Sequence, residues 1–108
     1  MHHGKPTVVL LVEDDENDVR ITRRALDRLG QPVTLHVVPD GAAALEWLAA
    51  AEALPDLMFL DISLPKMDGF ELLGHLRADP RLLPLPVLML TTSDRPEELL
   101  LALRGIRG

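Results

Sequence analysis

The feature that most constrains the fold is a set of four short apolar runs that alternate with longer amphipathic stretches. The runs occupy residues 8–12, 33–38, 57–60 and 87–90. Three of them are apolar on both faces, which is typical of parallel strands covered by helices on each side of a sheet. The run at 33–38 is more mixed, which predicts a less buried strand. Regular alternation of strand and helix patterns predicts an α/β fold rather than a helix bundle or a β-sandwich.

The stretches between the runs predict the helices, because they carry apolar residues at helical spacing and begin or end at capping residues. Four helices are predicted: one ending at Gly30, one over 41–51 capped by Asp40, one from Gly69 or Phe70 to a stop at Asp79 and Pro80, and one capped by Ser93 or Asp94. Prolines at positions 80, 84 and 86 predict a loop. Strands joined through such helices form an open, doubly wound parallel sheet.

Composition limits the class of protein. A chain of 108 residues allows one domain, which we place at 7–108 after an N-terminal tail over 1–6. Its 47% hydrophobic residues argue against disorder, yet no run is long enough to span a membrane. The sequence contains no cysteine, and we identify no secretory signal in it. Both observations favour a cytoplasmic protein. The net charge of -6 argues against a nucleic-acid partner.

Oxygen-bearing side chains follow three of the predicted strands. Glu13 and Asp14 follow the first, Asp61 the third and Thr91 the fourth. Ligands of open α/β sheets lie at the carboxyl ends of the strands, so these residues are expected at one edge. Carboxylates brought close together repel one another unless a cation binds between them, and oxygen ligands favour Mg²⁺ or Mn²⁺ over zinc. A carboxylate can also attack phosphorus, and Thr91 could donate to a phosphoryl oxygen.

Structural roles would explain some of the same residues. The acidic run over 13–16 can be the first turn of a helix, where negative charge is favoured by the helix dipole. Thr91 can be a strand residue or part of a helix cap. Asp61 is harder to explain in this way, because a carboxylate at the end of an apolar run is costly to desolvate.

Three segments together resemble the receiver domain of two-component response regulators: residues 8–15, 60–69 and 86–94. The resemblance implies a flavodoxin-like doubly wound sheet with strand order 2-1-3-4. It also implies that Asp61 is the phosphoacceptor and Thr91 the switch hydroxyl. By the same resemblance, Mg²⁺ is held directly by Asp14, through water by Glu13, and by Asp61 and the backbone carbonyl of Ser63.

Within the family, the segments around Glu13, Leu64 and Leu90 are similar to stand-alone regulators paired with bacterial phytochrome kinases. The implied partner is therefore a sensor histidine kinase of the phytochrome type. The family's fifth strand, the lysine that follows it and the fifth helix have no match after residue 103, so we expect them to be absent. We then expect the fourth strand to be an exposed edge that favours a homodimer.

These observations support three functional hypotheses. The leading one is a phosphoacceptor switch in which Asp61 takes a phosphoryl group from a histidine kinase in a Mg²⁺-dependent step, and which is not a conventional enzyme. The second is a shortened receiver that dimerises or binds proteins without a phosphorylation switch. The third is a Mg²⁺-dependent phosphatase, which ranks last because Ser63 stands where such enzymes usually carry a second acid.

Overall fold

A computed structural model of the chain describes residues 6–61 and 69–90. Strands and helices alternate along them as predicted. In chain order they are β1 (Thr7–Val12), α1 (Glu16–Asp27), β2 (Val33–Val38), α2 (Gly41–Ala50), β3 (Leu57–Asp61), α3 (Gly69–Ala78) and β4 (Val87–Leu90). The proline-rich segment predicted as a loop contains a short 3₁₀ turn at Pro80–Leu82. The predicted fourth helix lies outside the described residues.

The four strands form one parallel sheet in the order β2-β1-β3-β4, which confirms the predicted order. β1 and β3 are internal strands, so each is covered on both edges by a neighbour. β2 lies at one side of the sheet, and five of its six residues are half-buried. The lower burial predicted from the mixed composition of residues 33–38 is therefore confirmed.

The sheet separates two hydrophobic cores. Side chains of a strand point alternately to opposite faces, so Leu10 and Val12 pack on the side of α2 and α3, whereas Val9 and Leu11 pack on the side of α1. β3 behaves in the same way, with Met58 and Leu60 on the first side and Leu57 and Phe59 on the second. Burial on both faces explains why these strands read as continuous apolar runs.

Helix ends follow local capping chemistry. Asp15 precedes α1, and its Oδ1 accepts hydrogen bonds from the backbone N–H groups of Asn17 and Asp18, at 2.8 and 3.2 Å. α1 ends at Asp27, three residues before the predicted stop at Gly30. Gly30 instead takes a left-handed conformation with φ of 67°, which reverses the chain toward β2 and suits a residue without a Cβ.

At the amino end of the sheet, Asp56 joins the start of β1 to the segment that leads into β3. The backbone N–H of Val8 donates to Asp56 Oδ2 at 2.7 Å, and the backbone N–H of Asp56 donates to the carbonyl of Val8 at 2.7 Å. β3 itself pairs with β1 only from Leu57 onward. The Asp56 side chain thus supplies the acceptor that a strand carbonyl would supply further along the ladder.

Candidate functional site

The acidic run after β1 divides at the helix cap. Asp15 caps α1 and Glu16 opens its first turn, so these two residues have the structural role that the helix dipole favours. Glu13 and Asp14 lie between the end of β1 and the cap, outside the helix. Helix stabilisation therefore accounts for Asp15 and Glu16 only. Glu13 and Asp14 lie at the edge of the sheet, where another role must explain them.

Glu13 and Asp14 differ in burial. Glu13 is only 6% exposed, whereas Asp14 is exposed. The backbone N–H of Glu13 donates to the carbonyl of Val38 at 2.9 Å, which extends the β1–β2 ladder by one bond. Glu13 Oε2 accepts from the backbone N–H of Asp15 at 3.3 Å. A carboxylate so nearly buried is costly unless it is well satisfied, and a bound cation is one way to satisfy it.

Asp61 occupies the matching position on β3. Val12 pairs with Leu60, so the same register continued by one residue places Glu13 next to the backbone of Asp61. Asp61 in turn pairs with Leu90, the last residue of β4. Adjacent strands lie about 4.8 Å apart, so the ends of β1, β3 and β4 meet at one edge of the sheet. Of the other predicted site residues, Ser63 and Thr91 lie outside the described residues.

A cavity of about 290 Å³ opens beside the two acidic residues. It is lined by Glu13, Asp14, Glu16, Val19, Arg23, Val37 and Pro39. Arg23 was not among the site residues predicted from the sequence. The signal was its position seven residues, or about two turns, after Glu16, which places both on one helix face. A guanidinium therefore lines the same cavity as the carboxylates.

The chemistry of the donor set suits a hard divalent cation, because the described residues of this cavity offer carboxylate oxygens and neither sulfur nor imidazole. Among the side chains that the structure describes, no group of three or more His, Cys, Asp or Glu converges to hold a metal. The described part of the predicted ligand set is Glu13 and Asp14. A complete set would need Asp61 and Ser63 as well.

A parallel 2-1-3-4 sheet with acidic residues at the ends of its two internal strands is typical of the receiver class of signalling domain. The match to the response regulator receiver domain family spans residues 9–105, and the chain belongs to that family. It is a receiver domain of a two-component response regulator, as the sequence predicted.

Individual relatives agree with this assignment. The chain is 39% identical, over 87% of its length, to FilR2 of Methanothrix harundinacea, a probable methanogenesis regulatory protein. The bacteriophytochrome response regulator AtBRR has a similar structure, with a TM-score of 0.75 and 31% identity over 93% of this chain and 76% of AtBRR. The Mn²⁺-bound form of response regulator Rcp1, a protein of Synechocystis, gives a TM-score of 0.73 and 34% identity, over 92% of this chain and 75% of Rcp1.

The chain spans 63% of the length of FilR2. Across the parts of the chain that the structure describes, no helix is long and apolar enough to cross a membrane.

Proposed function

We propose that residues 7–108 act as a receiver in which Asp61 accepts a phosphoryl group from a sensor histidine kinase of the phytochrome type. The observation that supports the proposal is the register of β1 and β3, whose last pair, Val12 and Leu60, directly precedes the buried Glu13 and Asp61 in the sequence. Similarity to AtBRR, a bacteriophytochrome response regulator, supports the choice of kinase. Like other receivers, the chain then acts as a phosphoacceptor and not as a conventional enzyme.

In this step the phosphorus–nitrogen bond of the kinase phosphohistidine breaks, and a bond forms between phosphorus and a carboxylate oxygen of Asp61. The imidazole leaves with the electron pair of the broken bond and takes up a proton. The chain's own contribution is to position the carboxylate and to stabilise charge on the transferring group. Thr91 follows Leu90 directly in the sequence, and its hydroxyl would donate to a phosphoryl oxygen.

Asp14, Asp61 and the Ser63 carbonyl would hold Mg²⁺ directly, and Glu13 would hold it through water. A divalent cation would lower the repulsion between these carboxylates and the incoming phosphoryl oxygens. The existence of an Mn²⁺-bound form of the similar protein Rcp1 supports the choice of a divalent cation. We propose Mg²⁺ because oxygen ligation with retained water is its preferred environment. A cytoplasmic location, with no nucleic-acid partner, accords with a net charge of -6 and a cysteine-free chain.

Phosphorylation from acetyl phosphate tests the proposal. The chain is incubated with acetyl phosphate and Mg²⁺, and intact mass is measured for wild type, Asp61→Asn and the matched control Asp27→Asn, which changes an exposed residue of α1. We expect a single hydroxylamine-labile phosphoryl adduct on wild type and on the control, and none on Asp61→Asn or without Mg²⁺. An unmodified wild type, or an adduct that persists in Asp61→Asn, would contradict the assignment.

A further inference from the structure

The outer edge of β2 has the properties of a strand that pairs with another chain. Among the described residues, β2 pairs only with β1, and most of its side chains are half-buried. The strand contains no Asp, Glu, Lys, Arg or proline, although Pro32 and Pro39 lie immediately before and after it. Charges, prolines and bulges are the usual protection of an edge strand. β2 has none of them within its six residues.

Two hydrogen bonds establish which backbone groups face outward. The N–H of Thr7 donates to the carbonyl of Pro32 at 3.1 Å, and the N–H of Glu13 donates to the carbonyl of Val38 at 2.9 Å. Along a strand, successive residues direct their backbone groups to opposite neighbours. The even-numbered residues of β2 therefore bond to β1. The N–H and carbonyl groups of Val33, Leu35 and Val37 point to the outer edge.

We propose that β2 pairs in antiparallel orientation with β2 of a second copy of this chain, with Leu35 on the two-fold axis. In this register Val33 lies opposite Val37 of the second copy, and Leu35 lies opposite Leu35 of the second copy. Each outward N–H then meets an outward carbonyl, and the flanking prolines limit pairing to the strand itself. The two four-stranded sheets become one continuous sheet.

Side chains above the edge also match a second copy. Arg23 and Asp27 of α1, together with Leu26, line a groove of about 230 Å³ with Val33 and Leu35. A two-fold axis reverses the direction of α1 in the second copy, so Arg23 is brought toward Asp27 of that copy and Asp27 toward its Arg23. Because Arg23 and Asp27 have opposite charges and lie one helical turn apart, this surface of α1 is complementary to the same surface of a second copy. The apolar residues below them meet equivalent apolar residues.

The proposed dimer uses a different edge from β4, the one that the sequence predicted. The acidic residues lie at the carboxyl ends of β1 and β3 and not along the outer side of β2, whereas Arg23 lines both the acidic cavity and the groove at this edge. Antiparallel pairing directs the acidic edges of the two copies to opposite ends of the joint sheet, where both stay open to a kinase.

Sedimentation or light scattering over a concentration series tests the interface. At high concentration we expect wild type to reach twice its monomer mass of 11.9 kDa. Leu35→Lys places like charges opposite each other across the axis and should weaken association at least tenfold. Leu83→Lys changes an exposed leucine away from this edge and should leave the association unchanged. A wild type that stays monomeric, or a dimer that survives Leu35→Lys, would overturn the proposal.

Disulfide formation tests the register in chains that keep Leu35. The chain contains no cysteine, so a Thr34→Cys chain and a His36→Cys chain can be mixed and oxidised without background. The proposed register places Thr34 opposite His36 of the second copy, in a pair with Cα atoms about 4.5 Å apart, close enough for a disulfide. We expect the mixed cross-link and little cross-linking of either variant alone. Equal cross-linking in the unmixed samples would refute this register even if Leu35→Lys failed to fold.

Discussion

Replacing Asp56 by alanine should destabilise the fold although the residue lies in a loop. The substitution removes the acceptor of the Val8 N–H, which is bonded to Asp56 Oδ2 at 2.7 Å. Hydrogen bonds to a charged group contribute about 1.5–3 kcal/mol. Val8 and Asp56 are half-buried, so water partly replaces the lost acceptor. We therefore expect the lower part of that range, ~2 kcal/mol, which corresponds to a fall in Tm of roughly 10 °C.

Urea unfolding followed by the fluorescence of Trp47, the single tryptophan, measures this effect. Asp56→Asn keeps an acceptor oxygen but loses its charge, so it should cost about half as much. Acetyl phosphate should still modify both variants, because Asp56 lies at the opposite end of β3 from Asp61. A difference of less than about 0.5 kcal/mol between the unfolding free energies of Asp56→Ala and wild type would be too small for the loss of such a bond. That result would show that the Val8 N–H does not depend on this carboxylate.

Three further predictions concern the core, a helix cap and the acidic edge. Leu48→Ala empties a fully buried site between α2 and the sheet and should cost about 2–5 kcal/mol in urea unfolding, whereas Leu83→Ala on the surface should change it little. Asp40→Ala removes the Oδ1 that accepts from the Ala43 N–H at 2.9 Å, and we expect it to lower the free energy of unfolding by ~1 kcal/mol. Asp40→Asn should keep most of the stability of the wild type, because asparagine is also a good N-cap. Asp14→Asn should weaken Mn²⁺ binding, measured by electron paramagnetic resonance, by roughly tenfold or more. Equal Mn²⁺ affinities of Asp14→Asn and the control Asp27→Asn would show that Asp14 is not a ligand.

The internal strands could be predicted from the sequence because their burial is symmetrical. Residues of β1 and β3 are covered on both faces, so their apolar character is continuous and needs no knowledge of their neighbours. The same holds for the predicted cap at Asp40, whose side chain bonds to a backbone N–H only three residues away. Contacts of this kind can be predicted because both partners are close in the sequence.

Contacts between distant residues were not predictable in this way. Asp56 reads as an ordinary loop acid, and its bond to Val8 spans 48 residues. The end of α1 at Asp27 was also missed, because Leu29 continues the apolar spacing although it lies beyond the helix. Glu13 and Glu16 look alike in the sequence. Only the position of the cap between them separates a residue at the edge of the sheet from one in the first helical turn.

Strand order also has a kinetic consequence. β1 pairs with β2 through residues 26 apart in the chain, and β3 pairs with β4 through residues 29 apart. The central pairing of β1 with β3 joins residues 48 apart, so it closes the longest loop of the sheet. Longer loops cost more entropy to close and slow the folding of the contacts they hold. Formation of the central pair must therefore overcome this loop entropy before the carboxyl ends of β1 and β3 meet at one edge of the sheet.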